Sequence, residues 1–215
     1  MPLFKKWEEE GATWGIWKVS ESPEDLLAML TTESIDYAEL EQYKCASRRV
    51  EYLAARVLLK ELTGKELKIA HLPSGKPFLP SSSFNVTVSH TKGYVALGIH
   101  PCKDVGIDIE QVSERVLKVC SRFVRPDEAI GTPMLSDEKR LHKLLLIWSA
   151  KETMFKVLNE TGVDFLEHLQ VVEFVPQLSG TFKGQEYRTS SLSNFAIHYL
   201  VHPEFVLTYL TTGKK

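Results

Sequence analysis

Between residues 46 and 63 the apolar positions Val50, Leu53, Ala54, Val57, Leu58 and Leu62 recur every three or four residues. That spacing predicts an amphipathic helix, and Gly64 supplies its end. A different pattern precedes it. Residues 13–19 alternate, with Trp14 and Ile16 on one face, and predict a strand; Ser22-Pro23-Glu24-Asp25 then reads as the capped start of a short helix. A second, polar helix is expected over 33–43. Residues 71–83 are rich in Pro, Ser and Gly and predict an ordered loop. Strands at 84–89 and 94–100 follow, joined by a turn at Thr91-Lys92-Gly93, and a third strand runs over 104–110. Beyond it, helical segments at 113–122, 126–130 and 136–158 lead into strands near 169–175, 180–188, 195–201 and 204–210. Helices followed by an antiparallel run, twice over, suggest an α+β fold of two similar lobes, with a boundary near Pro101.

Two segments forty residues apart interrupt this apolar pattern with charge. In Gly106-Ile107-Asp108-Ile109-Glu110, alternation on a strand turns both carboxylates one way and Ile107 and Ile109 the other. In Trp148-Ser149-Ala150-Lys151-Glu152-Thr153-Met154-Phe155-Lys156, residues Trp148, Glu152 and Lys156 lie on one helical stripe. Each has an ordinary reading: a solvated strand edge, and a surface Glu–Lys pair worth roughly 0.3–0.5 kcal/mol. The flanks argue otherwise. Val105, Leu144, Leu145, Leu146, Ile147, Met154, Phe155, Val157 and Leu158 are apolar, and carboxylates set among them need a counter-charge. If strand and helix meet, three carboxylates and one ammonium converge. Oxygen ligands with room for phosphate are the chemistry of Mg²⁺, and Mn²⁺ accepts the same set.

Composition narrows the classes. A net charge of −2 lacks the basic excess of a dedicated nucleic-acid binder. Three cysteines, Cys45, Cys102 and Cys120, without CxxC spacing suggest neither a disulfide framework nor a zinc ribbon. The first ten residues lack the apolar stretch of a signal peptide, and no apolar run approaches the length of a membrane span. A cytoplasmic protein without membrane partners is expected.

Other candidates are weaker alone. Gly75-Lys76-Pro77 fixes a lysine on the loop, able to hold phosphate as a point charge or merely to be solvated; the spacing is not that of a P-loop. Ser89-His90 ends a strand and can touch a ligand, although no aspartate is placed for a hydrolase triad. Asn85-Val86-Thr87 matches a glycosylation sequon that a cytoplasmic setting makes irrelevant. His198 and His202 have no third ligand nearby for zinc. On the 46–63 helix Arg48, Arg49 and Arg56 are either an exposed basic face or a clamp for a phosphate monoester, with Arg49 and Arg56 on one side.

Taken in order, these segments resemble the 4′-phosphopantetheinyl transferases of the larger, pseudo-dimeric type that activates peptide synthetases. The resemblance covers roughly residues 46–158. The glycine-to-glutamate strand motif and Trp148-Ser149-x-Lys151-Glu152-x-x-x-Lys156 carry most of it; Gly75-Lys76-Pro77, Asn85-Val86-x-Val88-Ser89-His90 and Arg122-Phe123-x-x-Pro126-x-Glu128 add to it. It implies a pseudo-dimer of two lobes, each a mostly antiparallel sheet on a long helix: residues 1–103 contacting the coenzyme A nucleotide, and 104–215 carrying the metal and catalytic motifs. It implies Mg²⁺ on Asp108, Glu110 and Glu152, with Asp108, Glu152 and Lys156 in the catalytic set. Lys156 would stabilise developing charge, and Glu152 would help remove the serine proton, directly or through a water. Lys76, Ser89 and His90 would contact the nucleotide and its phosphates. Arg49 would bind the 3′-phosphate, with Arg48 as its rival.

The implied reaction moves the phosphopantetheine arm of coenzyme A to a serine of an apo acyl or peptidyl carrier protein in fatty-acid, polyketide or nonribosomal peptide biosynthesis, and releases adenosine 3′,5′-bisphosphate. Carriers are acidic near that serine, so the basic 115–125 segment (Arg115, Lys118, Arg122, Phe123, Arg125) is the expected contact. A monomer suffices if both lobes lie in one chain. Two alternatives stay open: a metal-dependent nuclease, and a carrier-binding relative that does not turn over.

Overall fold

In the computed structural model, residues 2–30, 35, 37, 40, 42–128 and 135–213 are described. The chain divides into two units, residues 1–105 with 213–215, and residues 106–212.

The first unit is built on a four-stranded antiparallel sheet. Its strands are β1 (Leu3–Glu9), β2 (Ala12–Lys18), β5 (Asn85–Thr91) and β6 (Tyr94–His100), in the order β1-β2-β6-β5. Helix α1 (Pro23–Met29) begins at a capping box, in which Ser22 and Asp25 satisfy each other's backbone N–H groups. Helix α2 (Ala46–Thr63) spans the expected residues and ends at Gly64 in the left-handed conformation. Its apolar stripe, Leu53, Val57, Leu58 and Leu62, packs on β2 and β6 against Trp17, Val95, Leu97 and Ile99. The Pro-Ser-Gly stretch carries a two-strand ribbon, β3 (Ala70–His71) and β4 (Pro77–Phe78). Gly75, at φ +87°, makes its reversal, a conformation that side chains resist.

The second unit has a five-stranded sheet, ordered β7-β11-β10-β9-β8: β7 (Val105–Gln111), β8 (Leu169–Val171), β9 (Ser179–Glu186), β10 (Asn194–Val201) and β11 (Phe205–Thr211). The run β8-β9-β10-β11 is an antiparallel meander. Helix α4 (Asp137–Leu158) starts at Ser136, whose hydroxyl accepts from the Lys139 N–H, with Asp137 and Glu138 in the first turn. Leu144, Leu145, Leu146 and Ile147 are all buried in succession, as in a helix wrapped by core on several sides. The protein is thus a mixed α+β fold with antiparallel sheets, and no described helix is long and apolar enough to cross a membrane.

Several expectations are corrected. The 113–122 helix is two short pieces, α3 (Arg115–Val119) and a 3-10 turn (Cys120–Arg122). The strand near 169–175 stops at Val171. Residues 126–128 form a turn, and 129–130 lie outside the described residues, as does most of 33–43. Strand β1 escapes the alternation rule because it is an edge: Phe4, Lys5, Lys6 and Glu8 are exposed, and its register slips between Leu3 and Lys5.

Candidate active site

In the second unit, β7 and α4 are held together by polar contacts inside an apolar frame. Ile107 and Ile109 are fully buried. Gly106 makes the approach possible, since a Cβ there would stand 2.6 Å from the Thr153 carbonyl oxygen and 2.8 Å from Val157 Cγ1. Beneath the contact, Ser149 Oγ donates to the Asp108 carbonyl at 3.3 Å, and the hydroxyls of Ser149 and Thr153 lie 2.9 and 2.7 Å from that of Thr208 on β11.

On this frame the charged side chains meet as two rungs. Lys156 Nζ donates to Asp108 Oδ1 at 2.9 Å and to the Ile107 carbonyl at 2.8 Å. The Trp148 indole N–H donates to Glu110 Oε1 at 2.8 Å. Glu152 is one helical turn from each of the two helical partners. Burial, then the Asp108 charge, raise the Glu152 carboxyl above the ordinary range, with Lys156 opposing. Burial, then Asp108, push Glu110 up to about 7, with Glu152 adding to the rise and the Trp148 hydrogen bond opposing it.

These three acids therefore repel one another in a half-dry setting that Lys156 offsets only in part. A hard divalent cation fits that donor set by charge and by its oxygen chemistry. Among the described residues, however, no three His, Cys, Asp or Glu side chains stand together as a ready-made metal shell. Two of the carboxylates are turned instead to Lys156 and Trp148.

A second anchor went unread in the sequence. Lys151 is fully buried, and its ammonium donates to Glu128 and to the carbonyls of Phe123 and Phe165, at 2.9, 2.6 and 2.9 Å. Glu128 also accepts from the Val171 and Arg125 N–H groups, both at 2.7 Å. Burial draws both partners toward neutrality, Glu128 upward and Lys151 downward, against their mutual attraction. The phenyl rings of Phe123 and Phe165 flank Trp148 with centroids 5.0 and 5.6 Å away. A lysine beside Glu152 in a run of buried residues was the available signal, since a buried ammonium demands acceptors.

The first unit holds the remaining candidates. Arg48 Nη1 lies 3.1 Å from His90 Nε2 and donates to Glu51 at 3.2 Å; His90 Nδ1 is 3.6 Å from the same carboxylate. Arg49 donates instead to the Tyr43 carbonyl at 2.7 Å. Arg56 belongs to no exposed clamp. It is buried, its guanidinium lies 3.2 Å from the centre of the Tyr52 ring, and it donates to the Tyr52 and Ile69 carbonyls. Lys76 pairs with Asp104 at 2.7 Å, and Ser89 is buried within β5. In the expected carrier-binding segment, Arg115, Lys118 and Arg122 are exposed, but Phe123 is in the core and Arg125 donates to the Leu166 carbonyl at 2.7 Å.

Residues 104–210 match the family model described as the 4′-phosphopantetheinyl transferase superfamily. The chain is 27% identical over 176 residues to a Synechocystis protein named for 4′-phosphopantetheinyl transferase activity, a match covering 72% of this chain and 69% of that one. It is 28% identical over 143 residues to the L-aminoadipate-semialdehyde dehydrogenase-phosphopantetheinyl transferase of Xenopus laevis, covering 57% and 46%. It is 30% identical over 88 residues to the 4′-phosphopantetheinyl transferase gsp of Aneurinibacillus migulanus, covering 40% and 35%. The last two matches thus span less than half of those relatives' own length.

Proposed function

This chain belongs to the 4′-phosphopantetheinyl transferase superfamily, and from that premise we propose that it transfers the 4′-phosphopantetheine arm of coenzyme A to a serine hydroxyl of an apo acyl or peptidyl carrier protein. The observation that carries the reading is the pair of rungs, Lys156–Asp108 and Trp148–Glu110, with Glu152 beside them. In the transfer the serine oxygen forms a bond to the phosphorus on the pantetheine side of the pyrophosphate. The bond from that phosphorus to the bridging oxygen breaks, and adenosine 3′,5′-bisphosphate leaves with that oxygen. The chain's task is to place the two reactants and neutralise the charge that moves between them.

Asp108, Glu110 and Glu152 would hold Mg²⁺, which supplies charge neutralisation at the pyrophosphate when bound. Lys156 puts an ammonium beside the same carboxylates and would stabilise the departing phosphate. Glu152, one helical turn from both Trp148 and Lys156, would take the serine proton. In the first unit, Lys76, Ser89 and His90 would hold the nucleotide end. The closeness of Arg48 to His90 favours Arg48 over Arg49 for the 3′-phosphate. The exposed basic residues Arg115, Lys118 and Arg122, interspersed with exposed Leu117 and Val119, would meet the acidic carrier surface. Each unit, a sheet carrying one long helix, supports the reading of an internal pseudo-dimer that works as a monomer. The test is product release: adenosine 3′,5′-bisphosphate should form only when coenzyme A, an apo carrier and Mg²⁺ are all present. Its absence with every carrier class would remove the transferase reading.

A further inference from the structure

Lys151 is next to Glu152 in sequence, but its ammonium donates to groups other than the three acids of the cluster. Its three acceptors belong to two separate chain segments: the Phe123 carbonyl and Glu128 on one, the Phe165 carbonyl on the other. Those same two segments supply the rings that sandwich Trp148, Phe123 edge-on at 64° and Phe165 tilted at 47°. Phe165 is steadied in turn by Phe155, one turn of α4 beyond Lys151, at 6.1 Å. Glu128 completes the tie by capping the Val171 N–H on β8, which anchors the 123–128 segment to the sheet. Thus one ammonium fixes the backbone behind both rings, the rings fix the indole, and the indole N–H holds Glu110 at 2.8 Å.

We propose that Lys151 and Glu128 are positioning residues: through the carbonyls of Phe123 and Phe165 they set the Trp148 indole, and the indole sets the direction of the Glu110 carboxylate. The hydrogen bonds of both go to groups other than Asp108, Glu110 and Glu152. The inference rests on the reading of Glu110 as a ligand for a divalent cation. Partners of this kind, one step behind the ligands, typically change metal affinity about 10–100-fold when lost.

Replacing Lys151 alone would strand Glu128 in the core, so the informative variants are two others. Lys151→Met/Glu128→Gln removes both charges together, a change that buried ion pairs often tolerate. Phe165→Leu opens one side of the cage at a half-buried position without touching the pair. Each is measured, with the wild-type protein, for Mn²⁺ affinity by calorimetry, for thermal unfolding, and for the ¹⁹F resonance of 5-fluorotryptophan at position 148, assigned with Trp148→Phe. Both variants should unfold near the wild-type temperature, shift or broaden the Trp148 resonance, and bind Mn²⁺ about tenfold more weakly. Folded variants with wild-type Mn²⁺ affinity and an unmoved resonance overturn the positioning role. Loss of affinity that only follows loss of fold in both variants overturns it as well, in favour of a merely structural pair. A wild-type protein that binds no divalent ion while the resonance still shifts overturns the metal reading of Glu110, and with it the role assigned here.

Discussion

Lys156 and Asp108 lie 48 residues apart in the chain and meet at 2.9 Å, with the lysine ammonium also donating to the carbonyl of Ile107. The aspartate is buried and the lysine partly exposed. Lys156→Met should therefore cost the protein about 1–3 kcal/mol, the penalty for a buried acceptor losing its charged donor. Loss of charge stabilisation at the departing phosphate should lower the transfer rate at saturating substrates by roughly 10²–10³-fold. Denaturant unfolding beside steady-state kinetics checks both. A stable variant that keeps its rate would assign Lys156 to the fold alone.

The Glu110 carboxyl makes the stability of the metal-free protein depend on pH in a particular sense. Its proton affinity rises from the ordinary 4.5 to about 7 on folding, so between those values the native state holds a proton that the unfolded chain has released. Its contribution is whole below the lower value and is lost as pH rises through the upper one, and Glu152 acts in the same direction. Urea unfolding without divalent ions should therefore show declining stability from about pH 5 to pH 8. Glu110→Gln should flatten the decline. A wild-type profile that rises across the window would contradict the burial and charge repulsion inferred for the acids.

Gly106→Ala would place a methyl group 2.6 Å from the Thr153 carbonyl oxygen and 2.8 Å from Val157 Cγ1, on a helix anchored at both ends. A loss of about 1–3 kcal/mol is expected. Because the strand must retreat from α4, Trp148 and Lys156 should also lose their grip on Glu110 and Asp108. Transfer should then fall further than the loss of folded protein explains. Equal losses of the two would confine Gly106 to packing.

For the nucleotide end, Arg48→Ala should weaken coenzyme A binding by about 1.5–3 kcal/mol, the worth of hydrogen bonds to a charged group. Arg49→Ala should do little. With dephospho-coenzyme A, which lacks the 3′-phosphate, the Arg48 effect should disappear. Calorimetric titration of the two ligands against the two variants separates the arginines, and the reverse pattern would return the phosphate to Arg49.

Helix α2 was legible in full because a single stripe of six apolar residues faces one sheet and a glycine ends it. The Asp108 strand and the Trp148 helix were legible because charge breaks an otherwise apolar run. What was hidden depends on contacts far along the chain. Arg56 looks like a surface arginine by spacing, yet Tyr52 and the Ile69 carbonyl receive it in the interior. Phe123 looks like part of a basic face, yet Trp148 and Lys151 draw it inward. Lys151 and Glu128 lie 23 residues apart with no local pattern to join them. Strand β1 is an edge with charge on its open face, so the alternation that marks a half-buried strand is absent.

On the carrier side, Arg122→Glu should raise the KM for carrier several-fold and leave coenzyme A affinity unchanged, because the residue is exposed and charge across an interface rim acts mainly on encounter. An unchanged KM would take the segment from Arg115 to Arg122 out of the interface.

Group transfer at the Asp108–Lys156 cluster can be read from the intact mass of an apo acyl carrier protein incubated with this protein, coenzyme A and Mg²⁺. The carrier should gain one phosphopantetheine arm, with no gain when EDTA removes the metal and no gain with folded Asp108→Ala. A carrier modified equally well by Asp108→Ala, or in EDTA, would contradict it.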